Sequence, residues 1–123
     1  MTIPRKINLK TAGENIVKAW TPIVLGDIND SQVKLAKFDG IFDWHSHPNE
    51  DEGFLVVSGK IEIAFRDGVV ELSAGEFVVV PRGVEHRPQA ITNMPVVLMF
   101  EPSSTLNTGD KITARTVATL ERI

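Results

Sequence analysis

The chain contains no cysteine among its 123 residues. Disulfide bonds and thiolate metal sites are therefore excluded, and any bound metal must use nitrogen or oxygen ligands. No charged-then-apolar leader opens the sequence, and no apolar run approaches the length that crosses a membrane. We therefore expect a cytoplasmic protein that does not bind a membrane.

Positive charge is also scarce. The chain has 13 lysines and arginines against 16 aspartates and glutamates, so its formal net charge is −3. No basic stripe is visible, which argues against nucleic acid as a partner, because that binding depends on lysine and arginine side chains that meet phosphates. The length fits one domain with one core. A small molecule is the partner that we expect.

Helical periodicity is absent from the middle of the chain. Short apolar runs recur there instead, about every 8 to 12 residues, with turn signals between them, and this pattern is typical of an all-β sandwich or barrel. After an apolar stretch at 20–28, the runs that we interpret as strands are 32–38, 42–47, 53–58, 60–65, 69–72, 77–80, 86–91 and 96–101.

The two ends of the chain are less regular than its middle. We expect one domain, 1–123, with a barrel core at about 20–101. The apolar residues Ile3, Ile7 and Leu9 suggest an N-terminal strand within 1–15. The C-terminal tail, 102–123, is expected to form loop plus one short element, in which the last apolar residues are spaced like one face of a helical turn.

The stretch from Trp44 to Glu52 holds two of the three histidines of the chain. His45 and His47 are separated by one residue, so on an extended strand both imidazoles point to the same side. That is how a strand presents two imidazoles to one metal ion. The third histidine, His86, lies beside another strand-like run. We interpret this pattern as a metal site.

Two spaced patterns resemble the two motifs of the cupin superfamily, in its small single-domain form (cupin 2-type). They are His45-x-His47-x4-Glu52-x6-Gly59 and Gly75-x5-Pro81-x-Gly83-x2-His86. The sequence departs from the family pattern at two places. Asp39 stands where the first motif usually has a glycine, and Ala90 where the second usually ends in asparagine. Neither position is a ligand in the family.

The resemblance implies a double-stranded β-helix (jelly-roll) barrel, here with a short C-terminal tail. It also implies a divalent first-row metal ion, Fe, Mn, Ni, Cu or Zn, held by His45, His47, Glu52 and His86. Glu50 would face the same side as Glu52 on a strand, so it is the alternative carboxylate ligand and a weak candidate for a catalytic acid or base.

Two functions are consistent with this resemblance. The first is a metal-dependent enzyme acting on a small oxygen-rich substrate, with dioxygenase-, isomerase- or cyclase-like chemistry. The second is a non-catalytic module that binds or senses a metal and a small metabolite. Outward-facing Leu55 and Val57 and the apolar N-terminal segment further suggest a homodimer built on barrel faces.

The choice between the two glutamates can be tested by substitution. Glu52→Gln is expected to weaken binding of a divalent metal more than Glu50→Gln does, because a neutral amide is a poor ligand and the motif spacing favours Glu52. Metal titration of both variants beside the wild type measures this. The reverse order of affinities would move the ligand to Glu50.

Overall fold

The computed structural model describes residues 3–123, so Met1 and Thr2 of the predicted N-terminal strand lie outside the described range. Within it the chain forms one short helix and nine strands. They are α1 (Leu9–Glu14), β1 (Ile23–Ile28), β2 (Ser31–Lys37), β3 (Glu52–Ser58), β4 (Lys60–Phe65), β5 (Gly68–Ser73), β6 (Phe77–Val80), β7 (His86–Ala90), β8 (Val96–Pro102) and β9 (Glu121–Arg122).

The strands form two sheets. The larger has the order β6-β3-β8-β2-β1-β9 and the smaller the order β5-β4-β7, and all neighbours are antiparallel except β1 and β9. The predicted double-stranded β-helix is confirmed. No helix in residues 3–123 has the length and apolar character needed to cross a bilayer.

Alternation along the strands of the larger sheet separates two apolar clusters. Ala36, Phe54 and Met99 face the smaller sheet and join the main core. Their neighbours Leu35 and Leu98 face the other way and join a second cluster on the outside of the larger sheet. This sheet is therefore buried on both faces along its central strands, which explains their nearly continuous apolar runs.

The N-terminal segment forms a helix, so the strand that we predicted within 1–15 is wrong. The Asn8 side chain accepts a hydrogen bond from the Thr11 backbone N–H at 3.0 Å, which caps the first turn. Ala12 and Ile16, four residues apart, then pack into the outer cluster. The helix prevails over the short apolar alternation because it buries Ala12 and lets Ile16, just after the helix, pack into the same cluster.

This outer cluster also explains the two apolar residues that we assigned to a dimer surface. Leu55 and Val57 are partly buried and pack against the cluster that the N-terminal segment helps to form. The chain itself therefore covers part of that face. The homodimer remains a prediction.

The predicted strand at 42–47 is replaced by an extended segment with two isolated bridges. Ile41 pairs with Gln89 and His45 pairs with His86, and the register shifts by one residue between the two bridges. Pro88 lies opposite this shift and has no N–H to donate, so the ladder cannot run through it. We name residues 41–47 the histidine segment.

The C-terminal tail also differs from expectation, since it contains no helical turn at 117–123. Glu121 and Arg122 pair in parallel with Ile23 and Val24 of β1. The preceding residues form turns and loops that fold back across one end of the barrel. Three apolar residues at helical spacing were too few to predict a helical turn there.

Gly59, between β3 and β4, should tolerate no side chain. Its φ is +83°, and an added Cβ would lie 2.5 Å from Thr92 Oγ1 and 2.9 Å from Pro95 Cβ. We expect Gly59→Ala to lower the free energy of unfolding by about 2 kcal/mol or more. Denaturant titration of Gly68→Ala, where a Cβ meets nothing within 4 Å, is the control. Equal stability of the two variants would contradict this packing.

Candidate metal centre

Three separate segments bring four potential ligands together at one end of the barrel interior. His45 and His47 come from the histidine segment, Glu52 begins β3 and His86 begins β7. All four side chains are buried, and one ligand atom from each lies within 4.8 Å of the others. The structure thus brings together the four residues that the motifs indicate.

Backbone pairing sets the relative position of the two halves. His45 N–H donates to His86 O at 3.1 Å, and His86 N–H donates to His45 O at 2.9 Å. This reciprocal pair holds the two imidazole rings with their centroids 4.4 Å apart. The ring of His47 lies 5.0 Å from that of His45 and 5.6 Å from that of His86.

The distances among the ligand atoms suit a single ion. Glu52 Oε1 is 3.2 Å from His47 Nε2 and 3.4 Å from His86 Nε2. Two atoms that each lie about 2.1 Å from one ion, at a right angle or slightly wider, are separated by about 3 Å. A divalent ion of ordinary size therefore fits between these side chains.

Hydrogen bonds fix the tautomers of two imidazoles. His45 Nδ1 donates to Asp43 O at 2.8 Å, and His86 Nδ1 donates to Val84 O at 2.9 Å, because a carbonyl oxygen can only accept. The Nε2 lone pair of each ring is then free to bind a metal. No pattern in the sequence indicates these two carbonyl contacts.

Several buried polar atoms at the centre have no hydrogen-bond partner. They are both ring nitrogens of His47, Glu52 Oε1 and His86 Nε2. Unpaired buried polar atoms are costly, and a cluster of them needs an explanation. A cation among them would satisfy these atoms, and imidazole nitrogen and carboxylate oxygen are a suitable donor set for first-row divalent metals.

The charge states also favour a cation. Burial, together with neighbouring His86, lowers the pKa of His45 to about 4. This ring is therefore neutral at physiological pH, as a metal ligand must be. Burial opposes ionisation of Glu52, but the close approach of the Glu101, His47 and His86 side chains outweighs it and holds the pKa of Glu52 well below its usual range.

A second buried acid, Glu101 on β8, lies beside the centre and was missed in the sequence. Burial and the negative charge of Glu52 raise the pKa of Glu101 well above its usual range, and nearby Lys34 offsets this only in part. Glu101 thus belongs with Glu52 and Lys34 to one group of buried ionisable side chains. Its position along β8 did indicate burial. Glu101 follows Val97 and Met99 at intervals of two residues, so its side chain lies on the same face of the strand, toward the core.

Aromatic side chains form the wall of a small cavity beside the ligands. Trp20 stacks on Phe38 and Phe42, with centroids 4.4 Å and 4.5 Å apart, and Phe54 completes this side. The cavity has a volume of about 30 Å³, enough for one or two water molecules. His45, Glu52 and Glu101 contribute its polar surface.

A larger polar cavity of about 290 Å³ lies next to the first, under the C-terminal tail. Pro22, Glu101 and Asn107 line both cavities. Glu101 therefore stands between the candidate ligands and the larger space.

Glu50 lies outside the four-residue cluster. Its Oε2 accepts a hydrogen bond from Ser104 Oγ at 2.9 Å, and it lines neither cavity. The structure thus places our alternative ligand away from the centre, while Glu52 is within it. Strand β3 begins only at Glu52, so the strand alternation that put the two glutamates on one face does not extend back to Glu50.

The tail holds the histidine segment in place. Ser46 N–H donates to Asp110 Oδ1 at 2.9 Å, and Asp110 N–H donates to Ser46 O at 2.8 Å. Thr113 Oγ1 donates to Asp43 Oδ2 at 2.9 Å. We name residues 108–115 the tail clasp. Its contacts with the histidine segment, some 70 residues away in sequence, could not be predicted from the composition of the tail.

Comparison with known proteins identifies the family. The family model of the cupin domain matches residues 32–100, more than half of the chain. The chain belongs to the cupin family. The match covers β2 to β8 and includes all four candidate ligands of this cupin.

Two relatives resemble this cupin over most of their length. The uncharacterized protein YdbB of Bacillus subtilis is 33% identical over 84 residues, which are 68% of this chain and 74% of YdbB. A cupin-2 domain containing protein from Shewanella frigidimarina is 41% identical, with a TM-score of 0.72, and the match covers 78% of this chain and 93% of that chain.

A more distant likeness reaches a characterised enzyme. Hydroquinone 1,2-dioxygenase PnpCD, solved with Cd²⁺ and 4-hydroxybenzonitrile, matches with a TM-score of 0.66 and covers 79% of this chain and 72% of that chain. The two are 19% identical, so this match shows the shared fold alone.

Gly109 in the tail clasp gives a test of that contact. Its φ is +61°, and an added Cβ would clash with Ser46 O and lie 2.9 Å from His45 Cδ2. We expect Gly109→Ala to weaken metal affinity about tenfold or more, because the histidine segment must move. Metal titration measures this.

Gly75 supplies the matched control. Its φ is +86°, but an added Cβ meets nothing within 4 Å. Gly75→Ala should therefore lose about 1 kcal/mol of stability from backbone strain and keep its metal affinity. Unchanged affinity in both variants would show that the tail clasp does not hold the ligands.

Proposed function

We propose that this cupin is a metal-dependent enzyme acting on a small oxygen-rich substrate. His45, His47, Glu52 and His86 hold one divalent first-row ion. The observation that supports this most strongly is the set of buried, unpartnered nitrogen and oxygen atoms that converge within 4.8 Å beside a cavity. When bound, such an ion supplies Lewis-acid or redox chemistry.

The surrounding residues have distinct roles in this proposal. Trp20, Phe42 and Phe54 exclude bulk water from the ligand side of the cavity. The neutral imidazole of His45 and the ionised carboxylate of Glu52 leave a net positive charge on a bound divalent ion, which favours an anionic or enol oxygen on the substrate.

The size of the cavities limits the substrate. Only a few atoms fit in the space of about 30 Å³ beside the ligands, so the rest of a substrate must lie in the polar cavity of about 290 Å³. That cavity is bordered by serine, threonine and asparagine side chains (Ser103, Ser104, Thr105, Asn107). These groups suit a substrate with several oxygen atoms.

A dioxygenase, an isomerase and a cyclase differ in what they need near the metal. The dioxygenase PnpCD shares the fold, so a barrel of this kind can carry dioxygenase chemistry. An isomerase or cyclase needs an acid or base within reach of the substrate. Glu101 is the buried acid beside the cavity, so both classes remain within the proposal.

The second candidate function is a metal-bearing binding or sensing module without turnover. The small volume beside the ligands favours it, because a ligand of ordinary size would not reach the metal unless the cavity widens. This candidate predicts ligand binding without chemical conversion.

The experiment that separates them is an activity panel on protein loaded in turn with Fe²⁺, Mn²⁺, Ni²⁺, Cu²⁺ and Zn²⁺. Oxygen uptake is followed with catechols, hydroquinones and 1,3-diketones, and nuclear magnetic resonance follows isomerisation of sugar-derived keto acids. We expect turnover with at least one metal and a loss of about 100-fold or more in His86→Ala.

Glu85→Gln is the control for this panel. Glu85 neighbours His86, but its side chain reaches the surface, where it pairs with Arg66. This variant should retain the wild-type rate. Binding of panel compounds to the loaded protein without any conversion would favour the sensing module over the enzyme.

A further inference from the structure

A buried lysine and a buried glutamate adjoin Glu52 and are not among the four candidate ligands. Lys34 is 2% exposed and Glu101 is 4% exposed. Lys34 Nζ lies 2.9 Å from Glu101 Oε1. The register that pairs Gly53 with Phe100 places Glu52 opposite Glu101 on the neighbouring strand, and both side chains line the same small cavity.

Stability does not account for this pair. Burying a lysine and a glutamate removes both from water, and well-packed apolar residues of similar volume usually stabilise a fold as much or more. Lys34 contacts only one of the two oxygens of Glu101, and Oε2 has no hydrogen-bond donor facing it. That free oxygen is the one available to bond with Glu52.

We propose that Lys34 and Glu101 form a positioning pair that fixes the Glu52 carboxylate in the orientation that binds metal. The inference rests on the metal site proposed above. Lys34 orients Glu101, and Glu101 hydrogen-bonds to Glu52. One Glu52 oxygen, Oε1, then stays within 3.4 Å of both His47 Nε2 and His86 Nε2.

The physical need for such a pair lies in the last torsion of a glutamate. Rotation about the bond to a carboxylate is broad and costs little, so an unheld Glu52 would sample many orientations. Fixing it before the metal arrives removes this entropy cost from binding. Partners of this kind typically contribute 10- to 100-fold to metal affinity.

The test uses Co²⁺, whose visible absorption spectrum reports both binding and coordination geometry. In the double variant Lys34→Met/Glu101→Leu, side chains of similar size replace the pair. We expect the metal-free double variant to unfold within about 5 °C of wild type. Its Co²⁺ affinity should fall about 10- to 100-fold, with a changed absorption spectrum.

Charge alone predicts a different result. The double variant removes the Lys34 cation together with Glu101, so it cannot make the surroundings of the metal more positive, whether or not Glu101 is ionised. Charge alone therefore predicts unchanged or stronger Co²⁺ binding. Weaker Co²⁺ binding is a result that positioning explains and charge does not.

Two single variants separate the hydrogen bond from other effects and remain informative if the double variant does not fold. Glu101→Gln keeps an N–H that can donate to Glu52 and an oxygen that can accept from Lys34, so it should stay within about threefold of the wild-type affinity. Glu101→Asp keeps the acid but is one methylene shorter, so it should lose affinity. Glu62→Gln, on the opposite sheet, is the control and should change nothing.

The outcomes are distinct. Retained affinity in Glu101→Gln with loss in Glu101→Asp and in the double variant supports the positioning pair. Wild-type affinity and spectrum in the folded double variant, or equal loss in Glu101→Gln and Glu101→Asp, overturn it. Absence of any Co²⁺ spectrum from the wild type at saturating metal refutes the metal site itself, which is a separate result.

Discussion

The candidate centre depends on one reciprocal pair of backbone hydrogen bonds, between His45 and His86. The two residues lie about forty positions apart in sequence, on opposite sides of a β-hairpin and two further strands. Their pairing closes the smaller sheet against the histidine segment. Without it, the two imidazoles would not face each other, and Glu52 on the larger sheet would lose its contact with His86.

The surrounding structure reinforces this pairing from two directions. On one side, the register shift opposite Pro88 leaves the histidine segment outside the regular ladder, so it needs a second support. The tail clasp supplies that support through the paired Ser46 and Asp110 backbone and side-chain contacts. On the other side, Glu101 and Lys34 fix the orientation of Glu52, the single carboxylate among the candidate ligands. The ligands are thus held by contacts from three separate parts of the chain.

Much of this was predictable because it follows local rules. Strand boundaries agreed within a residue or so where alternation and turn residues were strong, as at Lys60–Phe65 and Phe77–Val80. The pairing of His45 with His47 followed from their spacing on an extended segment, and the full set of four candidate ligands followed from the resemblance of the motifs. The fold class followed from the repeated turn signals and from the resemblance of the motifs.

Other features depended on long-range contacts that no local pattern records. Helix α1 forms because the outer face of the larger sheet offers Leu35 and Leu98 to Ala12 and Ile16. Glu101 lies near the end of an apolar strand, and a glutamate at such a position is also typical of a surface turn. Only its contacts with Glu52 and Lys34 in the folded chain show that it is buried. The tail clasp likewise follows from contacts with the histidine segment that appear only in the folded chain.

The central claim is that these four side chains share one metal ion. A crystal structure of the protein grown with Mn²⁺, Fe²⁺ or Zn²⁺, with anomalous diffraction data, tests it most directly. The account predicts one anomalous peak per chain, about 2.0–2.3 Å from a nitrogen of each of His45, His47 and His86 and from an oxygen of Glu52. A well-ordered site without an anomalous peak at saturating metal, or a peak bound by other residues, would contradict it.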